Sequence, residues 1–255
     1  MKTPIKHKKS ETKALRTLLN KIPKGSIVDS HLFYSGELEL SLVEYERFVN
    51  ARTTQYVIYE FWDCLTKDAH RIYNLVTNDR FKFDESVFEY LQENWAKQKG
   101  EYIRSALFFL LNRCSNSGYV SSGILSIANY NRIALAALKT FRVPKSFHLT
   151  FDNGDLTHAL TSPTEATHTI VNVGLFNYNL FDEGKSYGLE ETKVNHAELK
   201  DIILNTDKRL MYIYKYDQRI MEFYSHCDVD ITHIDKYGNP TNNLKNSGEV
   251  IIANF

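Results

Sequence analysis

"HTIVNVGLFNYN", residues His168 to Asn179, holds an apolar run from Ile170 to Val173 that stops at Gly174 and passes into a loop of Phe, Asn and Tyr. A short apolar run closed by glycine is the pattern of a strand buried on both faces, as in a parallel sheet covered by helices. Similar units precede it. "SIVDSHLFYSG" (26–36) reads as a short strand at Ile27 and Val28 and a loop around Tyr34 to Gly36, before a helix rich in Glu. "TQYVIYEFWDCL" (54–65) reads as a second strand, Tyr56 to Tyr59, ending on Glu60 and followed by helical spacing. Two strand–helix units in succession predict a parallel α/β sheet with right-handed crossovers, whose ligand sites lie outside the carboxyl ends of the strands.

The remaining segments fit that alternation. Leu15, Leu18, Leu19 and Ile22 lie at helical spacing, with Pro23 and Gly25 as a stop. From Phe81 to Leu111 the apolar positions Phe88, Leu91, Trp95, Ile103, Leu107 and Leu110 are helical, and "YNRIALAALKTF" (130–141) is a further helix. We read 81–139 as a helical insertion and 1–80 with 140–255 as the α/β core. Strands are expected in "SFHLTF" (146–151), "RLMYIYKYD" (209–217) and "EVIIANF" (249–255), and a helix in "HAELKDIILN" (196–205). No internal repeat is evident.

Composition narrows the function classes. The 31 basic and 31 acidic residues cancel, so a nucleic-acid contact would need a local patch. Cys64, Cys114 and Cys227 are too few and too scattered for a disulfide framework or a zinc site, which points to a reducing compartment. No apolar run approaches the ~20 residues that span a bilayer. The basic start "MKTPIKHKKSETK" lacks the apolar segment of a signal peptide, so the expectation is a soluble intracellular protein without a membrane partner.

Individual residues suggest chemistry, each with an ordinary alternative. Glu60, placed at a strand end, could accept ribose hydroxyls or be merely solvated. Gly36 could admit a ligand to the backbone, although Phe33 and Tyr34 precede it and a helix start explains it equally. His226, Asp228, Asp230 and His233 lie close together, but on a strand His233 points away from the others, so an exposed edge strand is expected and no metal. There is no Gly-x-Ser-x-Gly elbow and no phosphate-binding loop. Lys6, His7, Lys8 and Lys9 form the one dense basic run, and Arg104 and Arg113 flank the way into "NRCSNSG".

Taken in order, these segments resemble the Dam-like family of adenine-specific DNA methyltransferases. "IRSALFFLLNRCSNSGYV" (103–120) is similar to the family's arginine-bearing helix, Leu-Asn-Arg and Gly-containing loop. "PKGSIVDSHLFYSGELELSL" is similar to its Gly-rich cofactor loop, "YVIYEFWDCL" to its ribose-binding segment, "LTFDNGDL" to its strand ending Gly-Asp-Phe and "NSGEVIIANF" to its closing strand. The resemblance spans nearly the whole chain. It implies a class I methyltransferase-like (Rossmann-type) fold with helices on both faces of a central sheet, S-adenosylmethionine as methyl donor, duplex DNA as partner, and a cytoplasmic setting in a bacterium or a phage-infected cell. On it, Gly36, Glu60 and Asp155 would meet the cofactor, and Lys6, Lys8, Lys9, Arg113 and Asn116 would meet DNA.

The departures from the family pattern concern its chemistry. Two glycines and a lysine near the cofactor fall on Lys9, Ser10 and Glu11, and a loop of three glycines falls on Tyr34, Ser35 and Gly36. Asp155 keeps an acid, but Leu156 stands where an aromatic is expected. Little chain lies between Asn112 and Tyr130 for a DNA-reading hairpin. The catalytic tetrad, Asp or Asn, then Pro, Pro and an aromatic, draws the adenine amine towards attack and stacks on a flipped base. Placed on Asn172 it keeps the polar group and loses the aromatic; placed on Val173 it keeps Phe176 and loses the polar group. The expectation is a catalytically inactive relative acting as a protein-interaction or weakly DNA-associated module, with S-adenosylmethionine binding in doubt. The alternative is an active methyltransferase with Asn172 and Phe176 in catalytic roles.

Overall fold

A computed structural model describes residues 3–7, 11–78, 84–176, 189 and 192–255. Seven strands form one sheet: β1 (Ile27–His31), β2 (Phe48–Thr53), β3 (Phe147–Phe151), β4 (His168–Gly174), β5 (Leu210–Lys215), β6 (Asp230–Asp235) and β7 (Ser247–Ala253). Their order is β3-β2-β1-β4-β5-β7-β6. All run parallel except β7, which pairs antiparallel with both β5 and β6. The chain winds outward from β1 to β3 and then returns to lay β4 on the other side of β1. Such a reversal opens a crevice beyond the carboxyl ends of β1 and β4.

The β4 run shows why the sheet is covered on both faces. Ile170 packs in one buried cluster with Val28, Met211 and Ile251, whereas Val171 and Val173 pack in a second with Tyr212, Tyr214 and Ile252. The alternation of side chains along a strand divides the apolar run between the two layers. The first layer is covered by α1 (Leu15–Lys21), α2 (Glu37–Glu44) and α3 (Tyr56–Val76), and the second by α7 (Leu156–Thr161), α8 (His196–Asn205) and α9 (Gln218–Tyr224). Outside α3 lie α4 (Glu85–Asn94), α5 (Glu101–Cys114) and α6 (Arg132–Lys139). Phe88, Trp95, Leu107 and Leu138 of this helical segment share the cluster that holds Val28 and Val49 of the sheet.

One expected strand is replaced. Residues 56–59 open α3, and the second strand is β2, eight residues earlier. Ile58, Phe61, Trp62, Leu65, Ala69, Ile72 and Val76 are buried at spacings of three and four, as a helix on a core requires. α3 bends at Asp68, whose carboxylate accepts the N–H of Arg71 at 3.0 Å and restarts the helix. In β2, by contrast, Asn50 and Arg52 carry polar groups onto one face, and a partner on β1 meets both.

Candidate functional site

The loop after β1 leads into the crevice. Leu32 has φ 58° and Gly36 has φ 71°, so the chain turns sharply twice before α2 begins. Positive φ in a leucine is strained and occurs where the surrounding packing imposes it. At Gly36 the reason for glycine is direct: a Cβ there would lie 2.7 Å from Cη2 of Trp62. Trp62 is fully buried, and its indole N–H donates to the carbonyl of Tyr34 at 2.7 Å. Phe33 lies 5.0 Å from the Trp62 ring, centroid to centroid. Phe33 and Tyr34 are buried, so the backbone of this loop is covered by its own aromatic side chains.

The N-terminal segment covers the loop from outside. His7 is buried and stacks on Tyr34 with centroids 4.0 Å apart and an interplanar angle of 19°, while Tyr119 meets its edge at 4.9 Å. The segment is held from α5. Asn112 accepts the N–H of Lys6 at 2.9 Å and donates to the carbonyls of Lys6 and Gly118, each at 2.6 Å. Arg113 donates to the carbonyls of Pro4 at 2.6 Å and Thr3 at 3.1 Å. Further along, Thr12 Oγ1 and the N–H of Lys13 both donate at 2.8 Å to Glu249, which also receives Lys215 Nζ at 2.6 Å. The described ends of the segment are thus anchored at α5 and at the carboxyl end of β5.

Of the residues expected to meet a cofactor, Glu60 and Asp155 have partners within the chain. Glu60 is not at a strand end: it lies in the second turn of α3, buried, with both oxygens held by the guanidinium of Arg104, Nε at 2.7 Å and Nη2 closer. The carboxyl end of β2 carries Thr53, Thr54 and Gln55 instead of an acid. Asp155 is exposed and accepts the N–H of His158 at 2.7 Å as the cap of α7. Gly36 and Asp155 share the carboxyl edge of the sheet, after β1 and β3 respectively, with β2 between them.

The catalytic candidates lie near the carboxyl end of β4, Asn172 within it and Phe176 two residues past it. Asn172 pairs with Ile213 and Gly174 with Tyr214, so Val173 is an extra residue that bulges the strand. Asn172 is buried on the side of Ile170. Phe176 is buried against His196, at 4.7 Å, and Phe223, at 5.5 Å, and Arg219 donates to its carbonyl at 3.1 Å. It belongs to the second core cluster and presents no open face for a base.

Among the DNA candidates, Lys6 and Asn116 are exposed, and Asn116 Oδ1 accepts the N–H of Ile124 at 3.3 Å. Arg113 is not presented to solvent; burial pulls its guanidinium down to about 10. Lys8 and Lys9 lie outside the described residues. Among the described residues no group of histidine, cysteine, aspartate or glutamate is arranged to hold a metal, and no helix is long and apolar enough to cross a membrane.

A polar network on β1 and β2 is not evident from the sequence alone. Asp29, buried in the middle of β1, accepts Asn50 Nδ2 at 3.0 Å, Arg52 Nε at 3.1 Å and Thr164 Oγ1 at 2.7 Å. Arg52 also reaches Asp152, just past β3, at 3.5 Å. His31, two residues beyond Asp29, is buried, and its pKa is lowered to about 4, chiefly by burial, so the ring is neutral at neutral pH. The signal for this network is a pair of polar residues at i and i+2 on two adjacent strands, Asp29 and His31 beside Asn50 and Arg52. A guanidinium, a carboxylate and a neutral imidazole near one strand edge could bind a polar ligand, but here Arg52 and Asp29 are committed to each other.

The mostly parallel seven-stranded sheet, flanked by helices and opening a crevice at its carboxyl edge, makes this an α/β protein compatible with a Rossmann-like fold. No protein-family model matches the chain, and no curated protein matches it significantly.

Proposed function

We propose that this protein has a methyltransferase-type fold but does not transfer methyl groups, and that it works as an interaction module. The observation that carries this reading is the packing of the β1 loop. Trp62 lies 2.7 Å from where a Cβ at Gly36 would be, too close for a side chain there, and Tyr34 and His7 stack over the same loop. A cofactor bound by backbone amides needs that surface bare. The described residues do not fit S-adenosylmethionine in this position, and Glu60 is neutralised by Arg104 rather than free for a ribose.

The state of the β4 end supports the same reading. Stabilising an amine in attack geometry takes an acceptor and a stacking ring in one register. Phe176 commits its ring to the core formed with His196 and Phe223. Of the two non-enzymatic roles, a protein-interaction role is preferred to a DNA-associated one, because Arg113 is buried and Arg104 is paired. The test is methyl transfer from S-adenosylmethionine labelled in the methyl group to adenine-containing duplex DNA. Incorporation should not exceed that of Asn172→Ala; incorporation that this substitution abolishes would make the protein an active methyltransferase.

A further inference from the structure

Charge is balanced over the whole chain but not along it. From Tyr102 to Phe151 there are 50 residues, six of them Lys or Arg and none Asp or Glu. Two of the six are engaged, Arg104 by Glu60 and Arg113 by the N-terminal carbonyls. The other four, Arg132, Lys139, Arg142 and Lys145, are exposed, and none pairs with a carboxylate among the described residues; Arg142 donates to the carbonyl of Phe141 at 2.7 Å, and Lys139 lies 5.1 Å over the Tyr73 ring. Asp68 of α3 lines the neighbouring hollow with Arg142, but it caps the N–H of Arg71.

The same segment carries the three most exposed aliphatic side chains of the described residues: Ile124 and Ile127 at 66 % and Ile133 at 62 %. Ile133, Ala136, Ala137 and Phe141 line a groove of about 440 Å³ along α6, with Arg132 and Arg142 also on its lining. Scattered exposed aliphatics are ordinary, but a groove lined by Ile133, two alanines and Phe141 and flanked by cations without carboxylate partners among the described residues has a recognition chemistry. The cations favour a negatively charged partner. The apolar floor selects among such partners: phosphates gain nothing from isoleucine, and Phe141, the ring on the lining, is only 4 % exposed and offers no open face for a base to stack on. A protein segment with apolar side chains on one face and carboxylates beside them satisfies both halves of the surface.

We infer that the α6 groove docks an acidic amphipathic segment of a partner protein, an apolar side chain entering between Ile133 and Phe141 while carboxylates meet Arg132 and Arg142. This rests on the interaction-module reading and names its partner class. The experiment pans the full chain against a displayed library of random peptides of about 12 residues, the length of a short helix. The enriched sequences should combine Asp or Glu with bulky apolar residues at helical spacing. A synthetic peptide of the enriched sequence should lose about tenfold in affinity, or about 1.4 kcal/mol, against Ile133→Asp, and a smaller factor against Arg132→Glu. Its binding should weaken as salt rises. Unchanged far-ultraviolet circular dichroism and melting of both variants would show that they fold.

Enriched peptides without acids, or binding indifferent to both variants, would overturn this groove while leaving an interaction role elsewhere intact. Duplex DNA binding more tightly than the peptide, with the same sensitivity to Arg132→Glu, would reassign the face to nucleic acid and overturn the inference. Self-association abolished by Ile133→Asp would reassign it to a second copy of the chain and overturn the inference equally. Methyl transfer to DNA, measured separately, would overturn the interaction-module reading itself.

Discussion

The crevice beyond β1 and the groove on α6 lie in one chain and are built in opposite ways. In the crevice, aromatic side chains turn inward: Phe33, Tyr34 and Trp62 are each at most 5 % exposed, and His7 seals Tyr34 from outside. On α6, isoleucine stands in solvent and the cations beside it lack acidic partners among the described residues. Burial of large aromatics contributes stability, whereas exposed aliphatics contribute none until something covers them. The edge at which the fold places ligands is filled by packing, whereas the proposed docking surface lies on α6.

The contrast makes graded predictions. Trp62→Ala should be the most damaging change, removing a fully buried indole and its bond to Tyr34, at about 3–5 kcal/mol in denaturant unfolding. A loss below about 1 kcal/mol would mean that the β1 loop is loosely packed and the crevice open. Arg104→Met should cost about 2 kcal/mol by leaving Glu60 buried without its cation, less than a fully buried pair because the Arg104 side chain is 24 % exposed. Adding Glu60→Gln should recover much of that cost. If Glu60→Gln alone proved neutral and Arg104→Met harmless, the carboxylate would be solvated, as a strand-end acid would be.

Acid should weaken the closed regions. Burial lowers the pKa of both His31 and His196 to about 4, against 6.5 when free. Between those values the unfolded chain binds protons that the folded chain does not. Stability is therefore present at neutral pH and falls as pH drops from 6.5 towards 4, by up to about 1.4 kcal/mol per pH unit for each histidine. Buried Glu39, its pKa raised by burial, acts in the opposite sense over this range, so the check is the slope of unfolding midpoint against pH in His31→Gln and His196→Gln: each should flatten it, and an unchanged slope would place the two rings in water. The smallest effect belongs to the open face. Ile133→Asp should change stability by less than about 0.5 kcal/mol, since that side chain is 62 % exposed. A larger loss would make the Ile133 face of α6 part of the core rather than a docking surface.

Most of the fold is legible in local patterns. β1, β3, β4, β5 and β7 follow from apolar runs that end at glycine or turn residues, and α6 and α8 from apolar positions that recur at helical spacing. The exchange of β2 for the start of α3 has a physical cause. Tyr56, Val57, Ile58 and Tyr59 are residues that favour strands, but the positions that pack are 58, 61, 62 and 65, and only the longer period shows it. β2 itself is hidden because Asn50 and Arg52 are satisfied by Asp29, a contact between separate strands that neither stretch reveals alone.

The candidate site is less legible than the fold. That the loops after β1 and β4 lie on the sheet's ligand edge follows from strand order, and Gly36 and Asn172 both lie at that edge as expected. What those loops hold depends on residues distant in sequence: Trp62 against Gly36, His7 on Tyr34, His196 on Phe176. A ribose contact for Glu60 requires a strand where the chain is helical. A DNA contact for Arg113 looks open in the sequence because nothing local signals that its partners are the carbonyls of Thr3 and Pro4.

The β1 crevice is filled from within by Phe33, Tyr34, Trp62 and His7. Titration calorimetry of the full chain with S-adenosylmethionine measures this most directly. No saturable heat is expected up to millimolar cofactor. Saturable one-to-one binding in the micromolar range would contradict the account, because it would require the Tyr34–His7 stack to yield its place to the ligand.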